Sequence, residues 1–221
     1  MGSILHLINI MKYKCIIFDC DGVLVDSEAI SSSVLTEMAN ELGIAISQEE
    51  ALENFTGKSL KYSLNYIENI LGKSLPTDFE YQFRMKSFEQ FAKNLKPING
   101  IHEVLNQLNI PFCVASSGPV EKIVRNLTTT KLIHYFEGKI FSSYEINSWK
   151  PEPHIFLHAA KKMGFDVNDC LIIEDSITGI QAAKKGGFDV IGFVNDNNKE
   201  RFKNENIPIC FSMNELSNLL K

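Results

Sequence analysis

The sequence predicts an α/β fold: a parallel sheet with helices on both faces, plus an inserted all-α cap domain after the first strand. Three observations predict it. From Pro97 to the C-terminus, short apolar runs alternate with helical repeats, the pattern of strands joined by crossover helices. Between residues 28 and 93 the chain shows helical periodicity and no convincing strand. Several of the apolar runs end in polar residues able to carry chemistry, and in open α/β sheets the carboxyl ends of the strands are where ligands bind.

The first element is Cys15-Ile16-Ile17-Phe18, a buried strand by its continuous apolar character. It runs into Asp19-Cys20-Asp21-Gly22, where the glycine permits a sharp turn. Two carboxylates then sit where a strand ends and a loop begins. Carboxylates crowded there repel one another unless a proton or cation intervenes, and a hard, oxygen-liking metal is the natural occupant. Next comes the helical block. Val34, Leu35, Met38, Ala39 and Leu42 recur at helical spacing, with Gly43 as a stop. Ser47 with Glu49 and Glu50 suits a second helix start. Leu60, Leu64, Ile67 and Leu71 mark a third helix, and Pro76–Leu95 a fourth, rich in phenylalanine whose rings are expected to form inter-helix core. Beyond Pro97 the expected order is helix 98–108, strand 110–115, helix 119–132, strand 139–141, helix 152–163, strand 170–173, helix 177–185, strand 189–193, a short strand near 207–210 and a last helix over 213–221.

Composition narrows the function. At 221 residues and 44% hydrophobic content, the chain can bury a real core, which excludes the disordered classes. A formal charge of −5 argues against a general nucleic-acid binder and leaves room for an enzyme acting on small anions. The five cysteines are scattered without a CxxC, so buried, reduced thiols and a cytoplasmic setting are expected, with Cys20 set apart because it lies between the two aspartates. Residues 1–11 are apolar but lack a basic leading region and are too short to span a bilayer, so no membrane association is expected. They are set apart as an N-terminal extension, with 12–27 and 94–221 as the α/β core and 28–93 as the helical insertion.

Four polar signals stand beside apolar strands: Asp19 and Asp21; Ser116-Ser117-Gly118; Lys150 within Trp149-Lys150-Pro151-Glu152-Pro153; and Glu174-Asp175-Ser176. Each alone has an ordinary reading as a turn, a solvated loop or a helix cap. Together, in that order, they resemble the haloacid dehalogenase-like hydrolase superfamily, in the branch with a helical cap after the first motif. The wording DxDGVLVDS, SSG, WKPEPHIF and EDSITGI covers nearly the whole chain after residue 11. Within that branch it is similar to sugar-phosphate phosphatases of the 6-phosphogluconate phosphatase type, with β-phosphoglucomutase a relative.

The resemblance implies a Rossmann-like core and a magnesium (Mg2+) cofactor. It implies that Asp19 is the nucleophile and forms an aspartyl-phosphate, and that Asp21 is the general acid and base. Ser116, Ser117 and Lys150 would hold phosphoryl oxygens, and Asp19, the Asp21 carbonyl, Asp175 and Glu174 would serve the metal. An acid at position 21 separates phosphatases and phosphomutases from the dehalogenases, which lack it. The mutase alternative is disfavoured: Ser31 and Leu60 stand where β-phosphoglucomutase carries a cap histidine and arginine. A non-catalytic binding protein on the same fold is the remaining rival. In the cap, Thr56-Gly57-Lys58-Ser59 mimics the end of a P-loop, but Leu52 occupies the required glycine position and no strand precedes it. Lys58 is instead a candidate contact for a second anionic group on the substrate. The expected partner is a small phosphorylated metabolite, with no nucleic acid and no membrane; oligomeric state is left open.

Overall fold

Six parallel strands form one sheet in the order β3-β2-β1-β4-β5-β6. The structure, a computed structural model, describes residues 12–56, 58, 60–196 and 198–220. The strands are β1 (Cys15–Phe18), β2 (Phe112–Ser116), β3 (Ile140–Ser142), β4 (Cys170–Glu174), β5 (Asp189–Phe193) and β6 (Ile209–Cys210). The α/β class with helices on both faces is thus as the sequence indicates. β1 lies at the centre because it pairs with β2 through Phe18 opposite Val114, and with β4 through Phe18 opposite Ile173. The ends of β1, β2 and β4 therefore share one edge of the sheet.

Period-two alternation divides the strand side chains between the two faces. Cys15, Ile17, Cys113, Ala115, Cys170 and Ile172 pack in one cluster with Ile155, Phe156 and Ala159 of helix α8 (His154–Met163) and Ile180 and Ala183 of α9 (Ile177–Lys185). Phe18 meets Phe112 edge-on at 6.1 Å, and Phe112 meets Phe136 at 5.5 Å. All five cysteines are buried and free, Cys20 among them although it stands between the two aspartates.

The other core helices are α5 (Ile101–Gln107), α6 (Val120–Thr129), α7 (Ser143–Ile146), α10 (Lys199–Phe202) and α11 (Met213–Leu219). Several begin or end away from the expected residues, each for a local reason. Helix α5 starts at Ile101 rather than 98, since Gly100 adopts φ +87 and breaks the helical path. Helix α6 stops at Thr129, before Lys131 at φ +59. Strand β2 starts at Phe112 rather than 110. Pro111 has no N–H to give the ladder, and its carbonyl accepts from the Ile16 N–H instead.

Residues Asp26–Leu95 form a separate compact unit, while the chain through Val25 joins everything from Lys96 onward. The separate unit holds α1 (Glu28–Glu41), α2 (Gln48–Phe55), α3 (Leu60–Leu71) and α4 (Phe79–Asn94), and among its described residues no strand. Val34, Leu35, Met38, Phe55, Ile67 and Phe79 form its core. Ser47 and Glu50 make a reciprocal capping box at the start of α2. Helix α4 begins at Phe79, not Pro76, because the Phe79 N–H closes a turn on the Pro76 carbonyl. No helix among the described residues is long and apolar enough to cross a membrane. Residues 1–11, expected as an extension, lie outside the described residues, as do Gly57 and Ser59 of the Thr56–Ser59 stretch.

Candidate active site

The site is assembled by strand register. The Asp19 N–H still donates to the Ile173 carbonyl at 3.0 Å, so Asp19 is held as a last step of the β1–β4 ladder. The chain then folds back: the Leu24 and Val25 N–H groups donate to the Cys20 carbonyl at 2.9 and 3.1 Å, and Gly22 N–H to the Val25 carbonyl at 2.9 Å. Gly22 takes φ +79, and a Cβ built there would lie 1.9 Å from Asp175 Oδ2. The sharp turn that Gly22 predicts therefore also leaves space for a carboxylate arriving from β4.

Lys150 closes the cluster. Its Nζ donates to Asp19 Oδ1 at 2.8 Å and to Glu174 Oε1 at 2.5 Å, and lies 4.8 Å from the centre of the Phe156 ring. The other Glu174 oxygen accepts from the Ser176 N–H at 2.6 Å and its hydroxyl at 2.9 Å. Ser176 also caps α9 by accepting from the Gly179 N–H. Glu174 is thus fixed from both sides and in turn fixes Lys150. Asp175 is set by Asn198, whose Nδ2 donates to its backbone carbonyl at 2.9 Å and to that of Phe193 at 3.1 Å.

Asp19, Glu174 and Asp175 offer carboxylate oxygens within 4.8 Å of one another, all three residues buried. Burial pushes the Asp19 carboxyl up to about 7; Lys150 opposes this, and the Glu174 and Asp21 charges reinforce it. For Lys150, burial favours the neutral amine, but Asp19 and Glu174 outweigh it and hold the ammonium charged. With all groups ionised, three carboxylates face one ammonium, an excess of two negative charges. A buried, all-oxygen cluster with that excess, plus a turn with no Cβ beside Asp175, fits a hard divalent cation. Cys20, between the two aspartates, is buried, and burial and both neighbouring charges push its thiol well above the usual range, so it is not poised as a thiolate.

Ser116 ends β2 at the same sheet edge, 2% exposed, with its Oγ accepting from the Gly118 N–H at 3.1 Å. Ser142 Oγ donates to the Gly118 carbonyl at 2.6 Å and braces that turn. Ser117 lies half-buried within it. Asp21 pairs with Lys122 of α6, Nζ to Oδ2 at 2.6 Å. Lys58 belongs to the Asp26–Leu95 unit, where it is exposed with its ammonium 5.2 Å from the Tyr62 ring centre. The motifs include Ser176 without giving it a role, and they do not flag Lys122, Ser142 or Asn198. Two local helix-start patterns can be read, Ser176-x-x-Gly179 and the capping box Ser142-x-x-Glu145; Lys122 and Asn198 reach Asp21 and Asp175 across 101 and 23 residues.

A family model described as haloacid dehalogenase-like hydrolase matches residues 16–193. The chain belongs to the haloacid dehalogenase-like hydrolase family. It is 32% identical over 211 residues to a 6-phosphogluconate phosphatase of Escherichia coli (strain K12), covering 95% of this chain and 96% of that one. It is 25% identical over 182 residues to a phosphorylated carbohydrates phosphatase of Thermotoga maritima, covering 80% and 83%. Among solved structures, a conserved haloacid dehalogenase-like protein of unknown function from Agrobacterium tumefaciens str. C58 superposes with a TM-score of 0.84 at 30% identity, covering 94% of this chain and 97% of that one.

Proposed function

We propose that this member of the family is a magnesium-dependent phosphatase of a small sugar phosphate or sugar-acid phosphate, with Asp19 as the covalent nucleophile. One observation carries the reading: Asp19 sits at the end of the central strand, bonded to a buried lysine and within 4.8 Å reach of two further carboxylates. Family membership and the phosphatase names of its relatives support hydrolysis of phosphoric monoesters. The two carbohydrate-phosphate relatives favour a sugar or sugar-acid ester.

In this reading an Asp19 oxygen attacks phosphorus and the bond to the leaving oxygen breaks, giving an aspartyl-phosphate and an alcohol. Asp21 supplies the proton that the leaving oxygen takes up. Water then attacks the aspartyl-phosphate, Asp21 takes back a proton, and phosphate departs with Asp19 regenerated. Ser116, Ser117 and Lys150 hold phosphoryl oxygens, and Lys150 offsets the charge that crowds around phosphorus. Asp19, the Asp21 carbonyl, Asp175 and Glu174 would hold Mg2+, which when bound supplies charge neutralisation between the nucleophile and the phosphate. The Asp26–Leu95 unit would act as the cap, with Lys58 meeting a second anionic group such as a carboxylate.

The test is phosphate release from p-nitrophenyl phosphate and a panel of phosphorylated sugars and sugar acids, with 6-phosphogluconate among them. Turnover with Mg2+, its loss in EDTA, and a fall of at least about 10³-fold in Asp19→Asn are expected. Undiminished turnover by D19N removes Asp19 from its role. Inertness of the metal-saturated wild type across the panel revives the binding-protein alternative.

A further inference from the structure

Lys122 has no task in the chemistry just described. It stands on α6, the helix that follows the Ser116-Ser117-Gly118 turn. Its stem lies along that turn: a Cβ built on Gly118 would meet Lys122 Cδ at 3.4 Å. Its ammonium reaches across to the loop after β1 and donates to Asp21 Oδ2 at 2.6 Å. The two side chains are 21% and 26% exposed, well below the surface pairs of this chain such as Lys12–Asp189 at 51% each. One side chain therefore spans the two loops that converge on the phosphate position, and it joins residues 101 apart in sequence.

Geometry gives that span a purpose. Lys150 holds the Asp19 carboxylate, Lys150 and Ser176 hold that of Glu174, and Asn198 holds the backbone carbonyl of Asp175. Asp21 sits in the turn, two residues beyond the last ladder contact of Asp19, where the backbone alone does not set its carboxylate rotation. Proton transfer to a leaving oxygen requires the acid within roughly 2.6–3.2 Å, and a misplaced group forfeits much of its effect. A long stem packed on the phosphate turn and a charged head on the carboxylate register the acid against the phosphate.

We propose that Lys122 is a positioning residue for Asp21, orienting its carboxyl group toward the leaving-group oxygen. This rests on the reading of Asp19 and Asp21 given above. Lys122 neither gains nor loses a proton in the step: the phosphorus–oxygen bond breaks, and the proton passes from Asp21 to the departing oxygen.

Leaving-group dependence isolates that role. The nitrophenolate oxygen of p-nitrophenyl phosphate departs with little help from an acid, whereas an alkyl oxygen needs the proton. The experiment compares kcat/KM on p-nitrophenyl phosphate with kcat/KM on the best-turned-over alkyl ester of the sugar phosphate panel, in wild type, K122M, K122R and D21N. K122M is expected to lose about tenfold or more on the alkyl ester relative to its loss on the aryl ester, within the range general acids contribute. K122R is expected to recover most of that difference, and D21N to show the same asymmetry more strongly. Equal losses by K122M on both esters overturn the proposal, since a structural or phosphate-holding role makes no such distinction. Melting temperatures check folding, and K122Q replaces K122M should the latter not fold. If neither folds, Lys122 is a folding residue and the proposal falls. A wild type inactive on both esters, or a D21N without asymmetry, instead defeats the assignment of Asp21 on which the proposal stands.

Discussion

Gly22 occupies a backbone conformation that alanine resists, φ +79, and borders Asp175 so closely that an added Cβ would sit 1.9 Å from its carboxylate oxygen. Left-handed backbone alone costs an L-residue about 1–2 kcal/mol. Here the displaced group is also a buried acid of the Asp19–Glu174–Asp175 cluster, so it has nowhere solvated to go. Gly22→Ala is expected to lower the melting temperature and, separately, to abolish the stabilisation that the proposed Mg2+ site would give. Wild type should gain about 2.7 kcal/mol at a hundredfold excess of Mg2+ over its Kd. Thermal melts with and without Mg2+ read both effects. Undiminished Mg2+ stabilisation in the variant would show that Asp175 does not depend on the space Gly22 leaves.

At the scale of elements, α9 reverses a familiar rule. Alanine is normally better than glycine within a helix by about 0.8–1.0 kcal/mol. Gly179 lies in the first turn of α9, but a Cβ there would fall 1.9 Å from Glu174 Oε1, the oxygen that holds Lys150. Gly179→Ala is therefore expected to destabilise by at least about 1 kcal/mol, read as a lower melting temperature, and to lower phosphatase activity with it. A more stable variant would mean that Glu174 can move without cost. The same region shows what a sequence makes legible. The ends of β1, β2 and β4 are readable because apolar runs stop abruptly at Asp19, Ser116 and Glu174, and α9 and β5 fall where periodicity places them. Helices α7 and α10 span four residues each, too short for any periodicity to register. Lys122 and Asn198 escape notice for another reason: the bonds that tie them to Asp21 and Asp175 form only when distant loops meet, and nothing near either residue in the chain anticipates that meeting.

For the whole molecule, burying this acidic cluster costs stability, and the proposed cation would offset that cost. Asp19 carries a carboxyl pushed up to about 7 from an ordinary value of 3.8, first by burial and then by the Glu174 and Asp21 charges, against the pull of Lys150. Between those values the folded, metal-free chain holds a proton that the unfolded chain has released. Stability changes with pH in proportion to protons bound unfolded minus protons bound folded, which is negative here. This group therefore contributes a stability that declines as pH rises from about 4 through 7. Other carboxylates titrate in the same range, so the clean measure is the melting temperature of Asp19→Asn minus that of wild type, in EDTA. The asparagine cannot ionise, so the difference is expected to grow as pH rises through this window and to level off above it, at about 2–4 °C per kcal/mol for a chain of this size. If Mg2+ binds Asp19 as proposed, the ordering should reverse near neutral pH with saturating Mg2+, because the cation would compete with the Asp19 proton and D19N would lack that ligand. A difference that is flat from pH 4 to 8 would mean that Asp19 is ionised throughout. Asp19, the proposed nucleophile, would then need no cation to be ionised.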